Sequence, residues 1–208
     1  MILSLQGCMA VGKTAAVRYI ETHAPYVHIS YEDNRDVLEE IRRRGLIKTR
    51  YEDYLEIQKL WLEKEIRRWE KAESYPCTIM DFGAEEIEFY TLHYPRTIGE
   101  NWEVEEPLRK ELEAVKRCFP DRILFLDASD SVLRQRKERD RTRSREFFEH
   151  HLKYLLPMKR EWFFHMDCVD VLNTDNMTCE ETGAYVKAWL DANLSGAVSP
   201  LYTDAKKN

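Results

Sequence analysis

Gly7-Cys8-Met9-Ala10-Val11-Gly12-Lys13-Thr14 sets two glycines, a lysine and a hydroxyl at the spacing G-x-x-x-x-G-K-[ST]. An apolar run, Ile2 to Gln6, enters this stretch, and a helical pattern from Lys13 through Ile20 leaves it. Glycines let the backbone wrap closely around phosphate oxygens with its N–H groups turned inward, and the helix offers its positive N-terminus to the same anion. Lys13 adds a mobile charge for the outer phosphates, and the Thr14 hydroxyl is a ligand for Mg²⁺. Gly7, Ala10, Val11, Gly12, Lys13, Thr14 and Ala15 are therefore the expected contacts of a nucleoside triphosphate, with ATP and Mg²⁺ as cofactors. The same glycines also suit a plain turn between a core strand and a helix, and such a loop serves kinases, hydrolases and switches alike.

Acids follow three other apolar runs. Glu32 and Asp33 come after Tyr26 to Ser30, Asp81 after Cys77 to Met80, and Asp127 after Ile123 to Leu126. In an open parallel sheet, ligands bind beyond the carboxyl ends of the strands, so these positions face the chemistry. Asp81 is placed to hold Mg²⁺ with Thr14, or else to cap a helix before Phe82-Gly83. Glu32 or Asp33 either takes the proton of an attacking hydroxyl or caps the helix beginning near Asn34. Asp127 reads as a cap for the helix from Asp130 onward.

Arg134 to Arg145 carries seven basic and two acidic residues. On a helix, Arg136, Arg139 and Arg143 share a face at i, i+3 and i+7 and would close over a triphosphate as a lid. The plainer alternative is a solvated helix whose arginines pair with nearby acids. Tyr54, Gln58 and Trp61 also share one helical face, as the wall of an acceptor pocket or as core.

The elements that position these residues follow from periodicity. Short buried-strand runs at Ile2 to Gln6, Tyr26 to Ser30, Cys77 to Met80, Ile123 to Leu126 and Val169 to Leu172 alternate with helical segments. The helical patterns span Asp36 to Arg44, Tyr51 to Ala72, Pro107 to Cys118 and Arg145 to Phe164, the last interrupted at Pro157. This is an α/β pattern, a parallel sheet with helices on both faces. Thr91 to Glu106, with Pro95 and Gly99, reads as an irregular insertion over the site, and Ser195 to Asn208 as a polar, flexible tail. At 208 residues the chain suits a single domain over positions 1–194.

A net charge of −6 argues against nucleic acid and acidic membranes as partners, and no apolar run is long enough to span a bilayer. Five cysteines without CxxC spacing suggest reduced thiols and a cytoplasmic location, and no histidine spacing suggests a structural metal. The expected partner is a small-molecule phosphoryl acceptor; a homodimer is left open.

Together, the phosphate loop, the acids after strands two and three and the arginine-rich segment resemble the P-loop nucleoside and nucleotide kinase superfamily, with thymidylate and deoxynucleoside kinases nearest. Leu124 to Phe148 resembles the strand, lid and Phe-Phe helix of thymidylate kinases. YLEIQKLWLEKEIRRW, carrying Gln58, resembles the helix from which deoxynucleoside kinases offer a glutamine to the base. The resemblance implies a three-layer fold with a five-stranded parallel sheet in the order 2-3-1-4-5. It also implies ATP at the loop, an acceptor beside strands two and three contacted by Gln58, and Asn173 to Met177 near the adenine. Those families follow or surround the strand-three acid with an arginine that holds phosphate, whereas this chain has Phe82. Arg35 or Arg96 is the nearest replacement. The implied function is ATP-dependent phosphoryl transfer to a nucleoside or nucleotide; the alternatives are a non-nucleotide hydroxyl compound such as an antibiotic, or an ATPase or switch.

Overall fold

The computed structural model describes residues 1–140 and 147–196. β1 (Ile2–Gly7) is buried along its whole length, as a strand covered on both faces must be. With β2 (His28–Ser30), β3 (Thr78–Asp81), β4 (Arg122–Asp127) and β5 (Val169–Asn173) it forms an all-parallel sheet in the order β2-β3-β1-β4-β5. This is the order that the resemblance implies. Leu5 is in register with Asp81 and Gly7 with Leu126, so the glycine loop and Asp81 emerge together at one carboxyl edge. Chain connections diverge to either side of β1 at that edge, which opens a crevice there.

Crossover helices cover the sheet. They are α1 (Lys13–His23), α2 (Arg35–Arg44), α3 (Tyr51–Glu73), α4 (Ala84–Thr97), α5 (Arg109–Lys116), α6 (Asp130–Arg139), α7 (Phe148–His150), α8 (Leu156–Phe164) and α9 (Cys179–Ser195). The main core joins Leu3, Leu5, Val17, Ile20, Phe125, Phe163 and Trp189, and a smaller one joins Leu62, Leu108, Leu112 and Val115 beneath α3 to α5. Each such side chain contributes about 1.5–3 kcal/mol on burial, which anchors the loops that leave the sheet. α1 lies close on α9 because Gly183 has no side chain: a Cβ there would stand 2.4 Å from the Tyr19 ring. Thr178 caps α9 reciprocally with Glu181.

Two elements differ from the sequence reading. Thr91 to Thr97 is helical, the last two turns of α4. Pro95 lacks the N–H that would bond the Thr91 carbonyl, and the Tyr54 hydroxyl donates to that carbonyl instead at 3.0 Å, so the helix survives its proline. Pro157 stands just after a π-helical turn, His151–Leu155, rather than ending the helix. A ladder already short of one N–H widens there at little cost. Among the described residues, no helix is long and apolar enough to cross a membrane.

Candidate functional site

Gly7 leaves β1 at φ +133, where a Cβ would stand 2.2 Å from the Leu126 carbonyl oxygen, so only glycine fits. Ala10 (φ 66) and Gly12 (φ 112) also take positive φ and coil the loop over the N-terminus of α1. Lys13 folds back, donating to the carbonyls of Gly7 at 3.0 Å and Cys8 at 3.1 Å. Thr14 opens α1, and its hydroxyl donates to Asp81 Oδ2 at 2.7 Å. Two residues separated by 67 positions thus meet as a pair of hard oxygen donors beside the loop.

The loop forms one wall of a cavity of about 970 Å³. The structure brings Gly7, Ala10, Val11, Gly12, Lys13, Thr14, Ala15, Glu32, Asp81, Arg136 and Arg139 together around it, as the sequence places them. Arg143 lies outside the described residues. Asp33, Arg35, Tyr54 and Gln58 do not line the cavity.

Each displacement has a local cause. Asp33 and Arg35 form an exposed, two-pronged ion pair facing solvent, at 2.6 and 2.9 Å. Hydrogen bonding from Arg35 holds the Asp33 carboxyl well below the usual carboxylate range, which makes it a poor proton acceptor. Tyr54 is fully buried because its hydroxyl is occupied by the Thr91 and Tyr90 carbonyls. Gln58 points into the same interior seam, 3.0 Å from the Thr91 hydroxyl. Arg96 is exposed on the outer end of α4. Asp127 does not cap α6 but forks with Arg160 of α8 at 2.9–3.2 Å; Asp175 accepts from the Ser129 N–H at the start of α6 instead.

Arg136 lines the cavity with its donors engaged. It donates to the Val11 carbonyl, the Thr174 hydroxyl and carbonyl, and the Met177 carbonyl, tying α6 to the glycine loop and to the loop after β5. That loop and the start of α9, through Met177, Thr178, Cys179 and Thr182, close the cavity on the β5 side.

Several lining residues are absent from the sequence reading. Arg18 lies one turn beyond Thr14 on α1, a spacing that was legible. Glu86, Ile87 and Tyr90 come from the first turns of α4, reached through Phe82, which turns the chain at φ 53. His151 arrives from the π-helical turn, and its Nδ1 lies 3.2 Å from the Cys8 sulfur. Burial pushes the Cys8 thiol up to about 11, and burial, then the charges of Lys159 and Lys13, holds His151 well below its ordinary value. Both shifts favour the neutral forms, a thiol beside an uncharged imidazole. Lys159 of α8, fully buried, ion-pairs with Glu86 at 2.5 Å and donates to the Gly7 carbonyl at 3.2 Å. No spacing in the sequence joins these four residues.

Glu32 faces the cavity beyond β2 and accepts from the Asn34 amide. Crowding by neighbouring protein, then the Asp81 charge, raises its pKa above the ordinary glutamate value, although one side of the residue meets solvent. Arg68, from α3, occupies the outer edge near Phe82. It lies 5.4 Å from that ring and donates to the Ser30 and Phe82 carbonyls and to Glu65.

The loop geometry, the Thr14–Asp81 pair and the sheet order together define a P-loop nucleotide-binding site on the fold shared by nucleoside and nucleotide kinases. The sequence model of the AAA domain family matches residues 3–162. The chain belongs to that family. No curated protein sequence matches significantly. Among solved structures, a deoxyadenosine kinase from M. mycoides with the products dCMP and dCDP has a TM-score of 0.65 at 14% identity, covering 92% of this chain and 100% of the other. The same enzyme with dCTP gives 0.63 at 13% identity, over 92% and 100% of the two chains. A thymidylate kinase from Candida albicans gives 0.62 at 11% identity, over 93% and 92%. At such identities these likenesses establish the fold.

Proposed function

We propose that the protein is an ATP-dependent phosphotransferase acting on a small molecule, with nucleosides and nucleotides the first acceptors to try. One observation carries this reading: a single cavity runs from the P-loop past Thr14 and Asp81 to a second wall made by Glu32, Phe82, Glu86 and Tyr90. A hydrolase or switch needs the first end only; a transferase needs both. The Thr14 hydroxyl and Asp81 carboxylate suit a small hard cation, and the described residues hold no cluster of three His, Cys, Asp or Glu that would cage a metal alone. Mg²⁺ would therefore be shared with the triphosphate, where it neutralises charge on the phosphate oxygens.

The chain's own residues do the rest. Lys13 exchanges its two carbonyl contacts for phosphate oxygens, and Arg139 adds positive charge at the end of α6. Arg136 serves as a strut that fixes the loop and the Thr174–Met177 wall. The acceptor hydroxyl oxygen attacks the terminal phosphorus, the bond to the bridging oxygen of ADP breaks, and the hydroxyl proton passes to Glu32. A carboxylate with a raised pKa is the better base for that step.

A coupled ADP-release assay over nucleosides, their monophosphates and hydroxylated antibiotics tests the proposal. Release stimulated by one acceptor class and lost in Lys13→Ala supports it. ATP binding with no acceptor-dependent release overturns it.

A further inference from the structure

The cavity carries most of its basic side chains on one side, where Asp140 also lines it, and three carboxylates on another. Lys13, Arg18, Arg136 and Arg139 belong to the P-loop, the face of α1 that carries Thr14, and α6. The wall made by the end of β2, the end of β3 and the first turn of α4 carries Glu32, Asp81 and Glu86, with Asp81 bonded to Thr14. Two cations behind that wall, Lys159 and Arg68, are already engaged. Lys159 is fully buried against Glu86 and the Gly7 carbonyl, and Arg68 is spent on the carbonyls of Ser30, Asp81 and Phe82, on Ser30 Oγ and on Glu65. Arg35 faces solvent with Asp33.

Glu86 is the most firmly held carboxylate of this wall. Both its oxygens lie close to Lys159 Nζ, at 2.7 and 2.5 Å, while the residue still borders the cavity. A carboxylate held from behind by a buried lysine keeps lone pairs for a ligand in front. Tyr90 stands one helical turn further along and, with Phe82 and Ile87, adds an apolar surface suited to a ring. Against Glu86 and Glu32 an anionic phosphate would meet like charge, whereas hydroxyl and amino donors would find acceptors.

Resting on the phosphotransferase reading, we propose that the acceptor is a phosphate-free ring compound rich in hydroxyl or amino donors, neutral or cationic, and that Glu86 is its specificity-determining residue. Matched probes test this: deoxycytidine against its monophosphate, myo-inositol against its monophosphate, and streptamine, each with Mg²⁺ and ATP for turnover and with ADP for calorimetric binding. The expected result is that unphosphorylated members exceed their phosphorylated counterparts in kcat/KM by about 100-fold or more, the scale on which buried polar groups discriminate. Glu86→Gln, which keeps an acceptor for Lys159, should raise acceptor KM about tenfold or more and leave KM for ATP unchanged. Tyr90→Leu, which removes the ring surface, provides a second variant should Glu86→Gln fold poorly, and its expected effect is a smaller rise in acceptor KM. Equal or better use of the monophosphates, or an acceptor KM that neither variant moves, overturns the acceptor class while leaving the phosphotransferase reading standing. Binding of the unphosphorylated probes without transfer supports the acceptor class and overturns the phosphotransferase reading. Neither binding nor turnover of any unphosphorylated probe overturns the acceptor class.

Discussion

Replacing Lys159 by methionine isolates a charge with no exposed surface. The Lys159 ammonium holds Glu86, itself 8% exposed, together with the Gly7 carbonyl. Methionine nearly preserves volume and shape, so packing changes contribute little, under about 1.5 kcal/mol. The main cost is a carboxylate left buried without its partner, about 3–5 kcal/mol. Because Glu86 borders the cavity, water reaches part of it, which favours the lower end, about 3 kcal/mol. At about 2–4 °C per kcal/mol for a chain of this size, the melting temperature should fall by roughly 6–12 °C. The double variant Lys159→Met/Glu86→Leu removes both charges and should recover most of the loss, because an apolar pair of similar volume is about as stable as a buried ion pair. Urea unfolding followed by circular dichroism and by tryptophan fluorescence gives the three free energies and checks their two-state character. A single variant within about 1 kcal/mol of wild type, or a double variant no more stable than the single, refutes the reasoning about a clamped carboxylate.

Other expectations follow from the same contacts. Desolvation and the Asp81 charge raise the Glu32 pKa, so kcat/KM should rise as pH climbs through a value above the ordinary glutamate range. Glu32→Gln should lower the rate by about 10²–10⁴-fold and abolish that acidic limb; a limb that persists in the variant assigns the proton to another group. Tyr54→Phe strips the donor from the Thr91 carbonyl that Pro95 leaves unpaired, and should destabilise the fold by about 1–3 kcal/mol in urea titrations, against no change if the hydroxyl were idle. His151 is held neutral, so the folded protein binds fewer protons there than the unfolded chain. Its contribution to stability is complete above about pH 6.5 and is lost as pH falls below that value. Between pH 7.5 and 5.5, His151→Gln should therefore lose less stability than wild type by up to about 1.4 kcal/mol per pH unit below 6.5, and parallel losses would contradict this.

The residues that the sequence locates correctly are those whose roles are local. Gly7 through Thr14 needs only its own spacing, its strand and its helix, and Asp81 needs only the end of an apolar run, because a parallel sheet delivers every strand end to one edge. The sheet order is legible through the resemblance, which the pairing register bears out. What is not legible depends on partners far along the chain. Tyr54 and Gln58 share a face as expected, but that face meets Thr91, and the reason is a proline in another helix. Asp127 has the sequence context of a cap, yet Arg160 outcompetes backbone N–H groups with a two-pronged, charge-assisted contact. Glu86 and Tyr90 sit in a helix whose second half reads as irregular, so their one-turn spacing toward the cavity goes unnoticed. Cys8 and His151, separated by 143 positions, meet only once the π-helical turn is in place.

A single-turnover experiment with ATP labelled in its terminal phosphate reaches the central claim most directly. Excess enzyme, Mg²⁺ and an acceptor that stimulates ADP release are mixed, quenched and resolved. The account predicts that the label appears on the acceptor, one per ADP formed, and that Lys13→Ala forms neither. Label recovered only as inorganic phosphate, at a rate indifferent to the acceptor, would contradict it.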